Sequence, residues 1–259
     1  MPLVMGVLNV TPDSFSDGGA WFDADAAVAH GLEMVAEGAD IVDVGGESTR
    51  PGAAPVDEAE ELRRVLPVIE ALVPHVRVSV DTRKASVAEA ALGAGATLVN
   101  DVSASLWQVA ADGGAGWVAM HMRGEPATMQ ADPRYDDVVG EVRDFLVDRA
   151  ARAREAGVAE VWVDPGIGFG KTVDHNLLLL RHLRALVAAG YPVVVGTSRK
   201  SFLGRLAGRG ADLPPDDRLE GSLATAAWAL TQGASMVRAH DVRPTAHLAR
   251  LVATESVVS

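Results

Sequence analysis

The chain contains no cysteine, and this absence removes several classes of protein at once. Disulfide scaffolds, cysteine-ligated zinc sites, iron–sulfur clusters and thiol catalysis all require that residue. There is also no apolar run of 18 or more residues, the length that a membrane-spanning helix needs. The first twenty residues carry neither Lys nor Arg, and Asp13 and Asp17 interrupt them, so no signal peptide is expected.

Positive charge is scarce as well. Among 259 residues, 35 are Asp or Glu and 23 are Lys or Arg, which gives a formal net charge of −12 at pH 7. Non-specific binding to nucleic acid depends on a basic surface, so the composition argues against it. We expect a cytoplasmic protein with no nucleic-acid or membrane partner. Only three cationic residues are lysines (Lys84, Lys171 and Lys200), so their positions are of interest.

Hydrophobic residues make up 48% of the chain and follow two alternating patterns. Short β-branched runs indicate strands, and longer stretches of helical period indicate helices. The strands are predicted at Leu3–Leu8, Ile41–Val44, Arg77–Val80, Thr97–Val99, Trp117–Met120, Val161–Val163, Val193–Val195 and Met236–Val237. The helices are predicted at Ala24–Ala36, Asp57–Leu72, Ser86–Ala94, Leu106–Ala111, Asp137–Ala156, His175–Ala188, Leu219–Gln232 and Thr245–Ala253.

Eight strand–helix units in about 250 residues predict an α/β fold of the TIM (β/α)8 barrel type. An open, doubly wound sheet fits the same alternation and stays an alternative at this point. No change of composition along the chain suggests a linker, so residues 1–259 are predicted to form a single domain.

Every predicted strand is followed by polar side chains. They include Asn9, Asp43, Asp81, Asn100, His121, Asp164, Lys200 and Arg238. In a barrel these strand ends converge on one face, where TIM-barrel enzymes have their active sites. A single Asp in such a place is more often a helix cap or a turn residue, and Asp43, Asp101 and Asp241 fit that interpretation. Eight consecutive instances favour a binding site.

The segment DPGIGFGKT (164–172) resembles two nucleotide-binding motifs but matches neither. Pro165 stands where a Walker A loop requires Gly, and Lys171 stands where a dinucleotide fingerprint requires its third Gly. Its glycines are interpreted as letting the backbone bend close to a flat ligand. His121 has no second His or carboxylate at metal-ligand spacing, so no zinc site is predicted.

The polar groups at the strand ends suit a planar nitrogen heterocycle that carries a phosphate. Asp81, Asn100 and Asp164 can accept from an amidine-like edge, and Lys200 can donate to a carbonyl or ring nitrogen. The guanidinium of Arg238 can stack on an aromatic ring. Local positive charge for an anion is available from Arg238 and from Arg50, Lys171 and His240. Asn9 offers an oxygen to Mg²⁺.

Eight motifs together resemble the dihydropteroate synthase family. In order, from residue 5 to about residue 250, they are MGVLNVTPDSFSDGG, DVGGESTRPG, SVDTRK, VNDVS, MHMRGEPATMQ, DPGIGFGKT, GTSRKSFLG and VRAHDV. The resemblance implies a TIM barrel, usually homodimeric. It implies a transferase that joins 6-hydroxymethyl-7,8-dihydropterin pyrophosphate to p-aminobenzoate, giving 7,8-dihydropteroate and pyrophosphate in folate biosynthesis. Inhibition by sulfonamides, which compete with p-aminobenzoate, is implied as well.

The same resemblance assigns roles to individual residues. For the pterin it implies Asp81, Asn100, Met120, Asp164, Phe169, Gly196, Lys200 and Arg238. For the pyrophosphate it implies Asn9, Arg50, Arg238 and His240, with Asn9 also as the magnesium contact. For p-aminobenzoate it implies Thr49, Arg50, Pro51, Lys200 and Ser201, and Asp17 belongs to the first loop of the site.

The implied mechanism is dissociative: pyrophosphate leaves first, and the aniline nitrogen then attacks the pterin cation. The catalytic set is Asp81, Asn100, Asp164, Lys200, Arg238, His240 and Asp17. A non-catalytic pterin-binding paralogue is one alternative, and another pterin-binding barrel, such as a methyltetrahydrofolate methyltransferase, is a second. The stretch between Asn100 and His121 is shorter than is usual for the family, which predicts a trimmed fourth helix.

Overall fold

The computed structural model describes residues 1–11, 24–48, 55–126, 128–208 and 212–255. Within these ranges, eight short strands alternate with helices along the chain. The strands are β1 (Leu3–Asn9), β2 (Ile41–Gly45), β3 (Arg77–Asp81), β4 (Leu98–Asp101), β5 (Gly116–Met120), β6 (Val161–Asp164), β7 (Val194–Val195) and β8 (Met236–Ala239). All eight lie within two residues of the bounds predicted from the sequence.

The strands form a closed parallel barrel. Their order is β6-β5-β4-β3-β2-β1-β8-β7, and every paired neighbour is parallel. The two ends of this order meet, because Val163 pairs with Val193 in a parallel bridge and its amide donates to the Pro192 carbonyl (3.0 Å). The predicted TIM barrel is therefore confirmed, and the open doubly wound sheet, which would keep two unpaired edges, is excluded.

Helices cover the outside of the barrel. They are α1 (Ala24–Glu37), α2 (Glu58–Leu72), α3 (Ala85–Gly93), α4 (Trp107–Asp112), α5 (Val138–Glu155), α6 (Val173–Arg181), α7 (Leu183–Val187), α8 (Ser201–Ala207), α9 (Leu219–Thr231) and α10 (Val242–Glu255), with a 3-10 turn at Pro215–Arg218. The predicted fourth helix, Leu106–Ala111, is confirmed as the six-residue α4. In the described part of the chain, no helix is both long and apolar enough to cross a membrane.

Two helical features differ from the sequence prediction. The predicted helix His175–Ala188 is divided into α6 and α7 at His182, whose φ of −105° and ψ of 23° are not helical. Leu179, Leu183 and Leu186 keep helical spacing across this break, so hydrophobic periodicity could not reveal it. Helix α8 has no counterpart among the predicted helices, because seven residues are too few to show a period.

Polar side chains begin several of the outer helices. Asp57 accepts a hydrogen bond from the Glu60 amide at the start of α2 (2.8 Å). At the start of α6, Thr172 accepts from the His175 amide (3.1 Å) and the Thr172 amide donates to the His175 ring (3.3 Å). Such caps satisfy amides that have no partner within the helix, and they fix where the chain leaves each loop.

The interior of the barrel holds an apolar cluster of its own, separate from the larger core beneath the helices. Seven strands contribute one side chain each: Met5, Ile41, Leu98, Val118, Trp162, Val194 and Met236. On β3 the position paired with Ile41 is Arg77, which forms an ion pair with Glu160 (2.5 Å). Because side chains alternate along a strand, residues two and four positions further on also face the interior, and these are mostly polar.

Candidate active site

The register of the first four strands places three predicted site residues at one level. Asn9 pairs with Gly45, Gly45 with Asp81, and Asp81 with Asn100. Gly45 separates Asn9 from Asp81 without a side chain of its own; a Cβ there would lie 3.3 Å from the Asp81 Cβ. The three polar side chains therefore share the carboxyl-end opening of the barrel.

The remaining strands add the other predicted residues to the same opening. Met120 at the end of β5 pairs with Asp164 at the end of β6. Gly196 follows β7, where a Cβ would lie 3.7 Å from the Cβ of Arg238 on β8. His240 follows β8, and its ring nitrogen Nδ1 lies 3.1 Å from the Ser198 hydroxyl.

Arg238 joins two carboxylates across the interior. Its Nε donates to Asp43 Oδ2 and its Nη2 to Asp81 Oδ2, both at 2.7 Å. Asn100 Nδ2 donates to the same oxygen of Asp43 at 2.8 Å. One guanidinium and one amide thus fix the orientations of two acidic side chains on neighbouring strands.

Asp43 is the member of this network that the sequence interpretation missed. Its side chain is fully buried and bonded to Arg238 and Asn100, so it is not a turn or capping residue. The predicted capping or turn role does hold for Asp101, whose carboxylate accepts hydrogen bonds from the amides of Ser105 and Leu106 (2.6 Å each). The signal that could have identified Asp43 is its place in the middle of an apolar strand, on the interior-facing alternation.

Two carboxylate oxygens of the network accept no hydrogen bond from the described part of the chain. Among the described residues, no group bonds to Oδ1 of Asp43 or to Oδ1 of Asp81, although both atoms are buried. Burial raises the pKa of Asp81 to about 7, against the opposing attraction of Arg238 and with added repulsion from Asp43. Buried acceptors without partners are costly in a folded protein, so their presence points to a ligand that donates hydrogen bonds.

Asp164 and Lys200 form the opposite side of the opening. Burial raises the pKa of Asp164, whose Oδ1 accepts from the Gly166 amide at 2.7 Å. Burial lowers the pKa of Lys200 to about 7, and its Nζ donates to the Ile167 carbonyl at 2.6 Å. The same ammonium lies 4.0 Å from the centre of the Phe169 ring, within cation–π distance.

The glycines of the loop after β6 approach this chain's own backbone, not only the opening. Gly166, Gly168 and Gly170 all have positive φ (64°, 85° and 61°). A Cβ on Gly166 would lie 1.8 Å from the His121 carbonyl oxygen, and one on Gly170 would lie 2.3 Å from that of Arg123. Only glycine permits this close contact with the loop after β5, and the approach to a flat ligand stays a prediction.

Four of the residues that the resemblance implicates, Asp17, Thr49, Arg50 and Pro51, lie outside the described residues. Ser201, also expected near p-aminobenzoate, is the first residue of α8, directly after Lys200. Lys171, expected as a cation for an anionic ligand, is buried, and its ammonium donates to protein carbonyls instead.

The described residues contain no group of three or more His, Cys, Asp or Glu side chains that could hold a metal ion. Asn9 offers one amide oxygen at the barrel opening. Mg²⁺ keeps several waters and binds through one or two protein ligands together with substrate phosphates. The described donors fit a magnesium ion that is brought by a pyrophosphate, and they do not form a protein cage for one.

Comparisons with known proteins agree with this geometry. The family model described as "Pterin binding enzyme" matches residues 5–240. The dihydropteroate synthase of Mycobacterium leprae (strain TN) is 50% identical over 260 residues, covering 96% of this chain and 92% of its own. The chain belongs to the dihydropteroate synthase family.

Solved structures of dihydropteroate synthases superpose closely on this barrel. The enzyme of Yersinia pestis with a sulfonamide drug complex has a TM-score of 0.91 at 46% identity, covering 98% of this chain and 94% of that one. The enzyme of Xanthomonas albilineans with 4-aminobenzoic acid has a TM-score of 0.89 at 47% identity, covering 99% and 93%. The methyltransferase alternative is not supported by these relatives.

Proposed function

We propose that this chain condenses 6-hydroxymethyl-7,8-dihydropterin pyrophosphate with p-aminobenzoate, giving 7,8-dihydropteroate and pyrophosphate for folate biosynthesis. The observation that carries the proposal is the buried network of Asp43, Asp81, Asn100 and Arg238. Two carboxylate oxygens in this network accept no hydrogen bond from any described group. A pterin presents adjacent N–H donors on one edge, which such acceptors would satisfy. A non-catalytic paralogue has no specific observation in its favour.

In this proposal the floor and walls of the opening hold the pterin. Asp81, Asn100 and Asp164 face its donor edge, and Lys200 donates to its carbonyl side. The apolar or close-packed wall consists of Met120, Phe169 and Gly196. Arg238 lies beneath, against the ring face, where a planar guanidinium stacks well.

The pyrophosphate is proposed to lie at the rim, near Arg238 and His240 and next to Asn9, with Arg50 as a further contact. Asn9 would hold Mg²⁺, which would supply positive charge to the departing pyrophosphate. His240 is held by Ser198, whose hydroxyl also accepts from the His240 amide at 3.1 Å. The residues proposed for p-aminobenzoate are Thr49, Arg50, Pro51, Lys200 and Ser201, with Asp17 on the first loop.

The proposed chemistry needs no protein nucleophile. Departure of pyrophosphate leaves positive charge on the exocyclic carbon, delocalised into the pterin ring. The carboxylates of Asp81 and Asp164 are buried and already oriented by Arg238 and the Gly166 amide, so they can stabilise that charge without reorganising. The aniline nitrogen then forms a bond to the exocyclic carbon and releases one proton to solvent.

The first test is turnover by the purified protein. With the pterin pyrophosphate, p-aminobenzoate and Mg²⁺, we expect 7,8-dihydropteroate to form, with one pyrophosphate released per product. A sulfonamide should inhibit in competition with p-aminobenzoate, and EDTA should stop turnover until excess Mg²⁺ is added. Tight binding of the pterin pyrophosphate without any product would instead support the non-catalytic paralogue.

We also propose a homodimer that associates through α6 and α9. Trp228 on α9 is 48% exposed, although its Nε1 donates to the Leu180 carbonyl of α6 at 2.8 Å. Leu177 and Leu178 of α6 are 37% and 39% exposed. Large apolar side chains exposed together on a surface are typical of an interface between subunits.

The dimer proposal predicts that Trp228→Glu weakens self-association by tenfold or more, because it places a charge within an apolar contact. Light scattering over a dilution series gives the dissociation constant of each protein. Leu32→Glu, an exposed apolar position on α1, is the matched control and should leave the constant unchanged. A wild-type protein that is monomeric at all concentrations would contradict the proposal.

A further inference from the structure

Lys171 has an environment that the proposed reaction does not use. Its side chain is 3% exposed, and among the described residues its ammonium contacts carbonyl oxygens and one imidazole nitrogen but no carboxylate. The Nζ donates to the carbonyls of Gly166 and Phe169 (2.9 Å each) and to that of His121 (3.2 Å). It also lies 3.0 Å from His121 Nδ1.

These contacts require a hydrogen-bond donor at the end of the side chain. Burial lowers the pKa of Lys171 to about 7, partly offset by Asp164. Burial, followed by the Lys171 charge, lowers the pKa of His121 to about 3, so the imidazole is neutral. An apolar side chain would avoid the cost of burying a charge, yet it would leave these acceptors without a donor.

The acceptors come from two loops that meet at the opening. His121 follows β5, whereas Gly166 and Phe169 belong to the loop after β6. That second loop carries the Ile167 carbonyl, which accepts from Lys200, and the Phe169 ring beneath the same ammonium. One short segment of backbone therefore connects the two lysines: Lys171 binds the carbonyls of Gly166 and Phe169, and Lys200 binds the carbonyl of Ile167 between them.

We infer that Lys171 is a positioning residue for the pterin site: its ammonium binds the carbonyls of both loops and so fixes Phe169 and Lys200. This inference rests on the proposed function, because it assigns Phe169 and Lys200 to the pterin. It predicts a defect in pterin binding. It also predicts that a small primary ammonium ion can replace the side chain.

The test uses Lys171→Ala, which removes the atoms of a propylammonium ion. The affinity for the pterin pyrophosphate, measured by titration calorimetry, should be about ten- to a hundredfold weaker, as for loss of a hydrogen bond to a charged group. Propylammonium should restore pterin affinity, whereas tetramethylammonium at equal ionic strength, which has no N–H donor, should not.

Two further proteins make the result decisive. Lys171→Met keeps the length of the side chain without its charge, and it should show the same loss of affinity without rescue, even if the Ala variant folds poorly. Arg152→Ala removes an exposed cation that pairs with Asp148 and should bind the pterin as the wild type does.

Each outcome has one meaning. Wild-type pterin affinity in both Lys171 variants would overturn the inference, as would a rescue of thermal stability by propylammonium that does not restore affinity. Failure of the wild-type protein itself to bind the pterin pyrophosphate would instead refute the proposed function.

Discussion

Replacing Asp81 by Asn is expected to lower kcat/KM for the pterin pyrophosphate by about a thousandfold, the upper range for losing one preorganised charge-stabilising group. The change removes the negative charge and one acceptor, while the side chain keeps its shape. Asp148→Asn, on the exposed face of α5, is the matched control and should retain full activity. Steady-state kinetics at pH 8 give both values.

The same substitution is expected to make the protein more stable at pH 8. The pKa of Asp81 is raised from 3.8 to about 7 on folding, so the folded state favours the protonated form. Its contribution to stability is therefore fully present below about pH 4 and is lost as the pH rises through about 7. A neutral amide avoids that loss, so the Asn variant should gain most above pH 7 and little near pH 5.

Urea unfolding of wild type and Asp81→Asn across pH 5–9 measures this gain. Wild-type kcat/KM should also decrease as the pH falls below about 7, because protonation of Asp81 removes the charge that stabilises the pterin cation. An Asn variant that turns over at more than a tenth of the wild-type rate would remove Asp81 from the mechanism. A variant that is both inactive and destabilised at pH 8 would make Asp81 a structural residue.

The sequence predicts the barrel because the barrel follows from local patterns. Each β-branched run is short and buried, each is followed by a helical period, and parallel strands then have few ways to pair. The position of the site follows for the same reason, since polar residues such as Asp81 and Asp164 end strands whose carboxyl ends converge. Neither conclusion depends on contacts between distant side chains.

The features of the site that sequence reasoning missed depend on such contacts. In the sequence, Asp43 resembles a strand-end Asp. In the structure, the long side chain of Arg238 on β8 donates a hydrogen bond to it. In the sequence, Lys171 resembles a cation that is available to ligands. In the structure, two carbonyls of the loop, whose glycines have positive φ, accept hydrogen bonds from it. Hydrophobic period and motif spacing carry no information on where a flexible side chain ends.

Replacing Arg238 by Met is expected to destabilise the protein by about 3–5 kcal/mol at pH 8, the usual cost of removing one partner from a buried ion pair. Asp43 and Asp81 would then face each other without the cation that bonds to both. Urea unfolding measures the change, and Arg152→Met, which breaks an exposed pair, should cost less than about 1 kcal/mol.

Two causes of this destabilisation can be distinguished: uncompensated buried charge and a simple loss of packing. If uncompensated charge is responsible, adding Asp43→Asn to Arg238→Met should recover a large part of the stability, although Asp43→Asn alone is destabilising. The deficit of the single Arg238 variant should also shrink as the pH falls from 8 to 5, because protonation neutralises the Asp81 carboxylate that the guanidinium no longer faces.

A deficit that is constant with pH and simply additive in the double variant would attribute the effect to packing instead. The charge explanation has a functional corollary that a packing explanation lacks. The double variant should regain its fold but not its turnover, since Arg238 is also proposed to contact the pterin and the pyrophosphate. Arg238 would then serve two purposes with one side chain: it makes two buried carboxylates tolerable in the folded protein, and it holds them ready for the cation that the reaction forms.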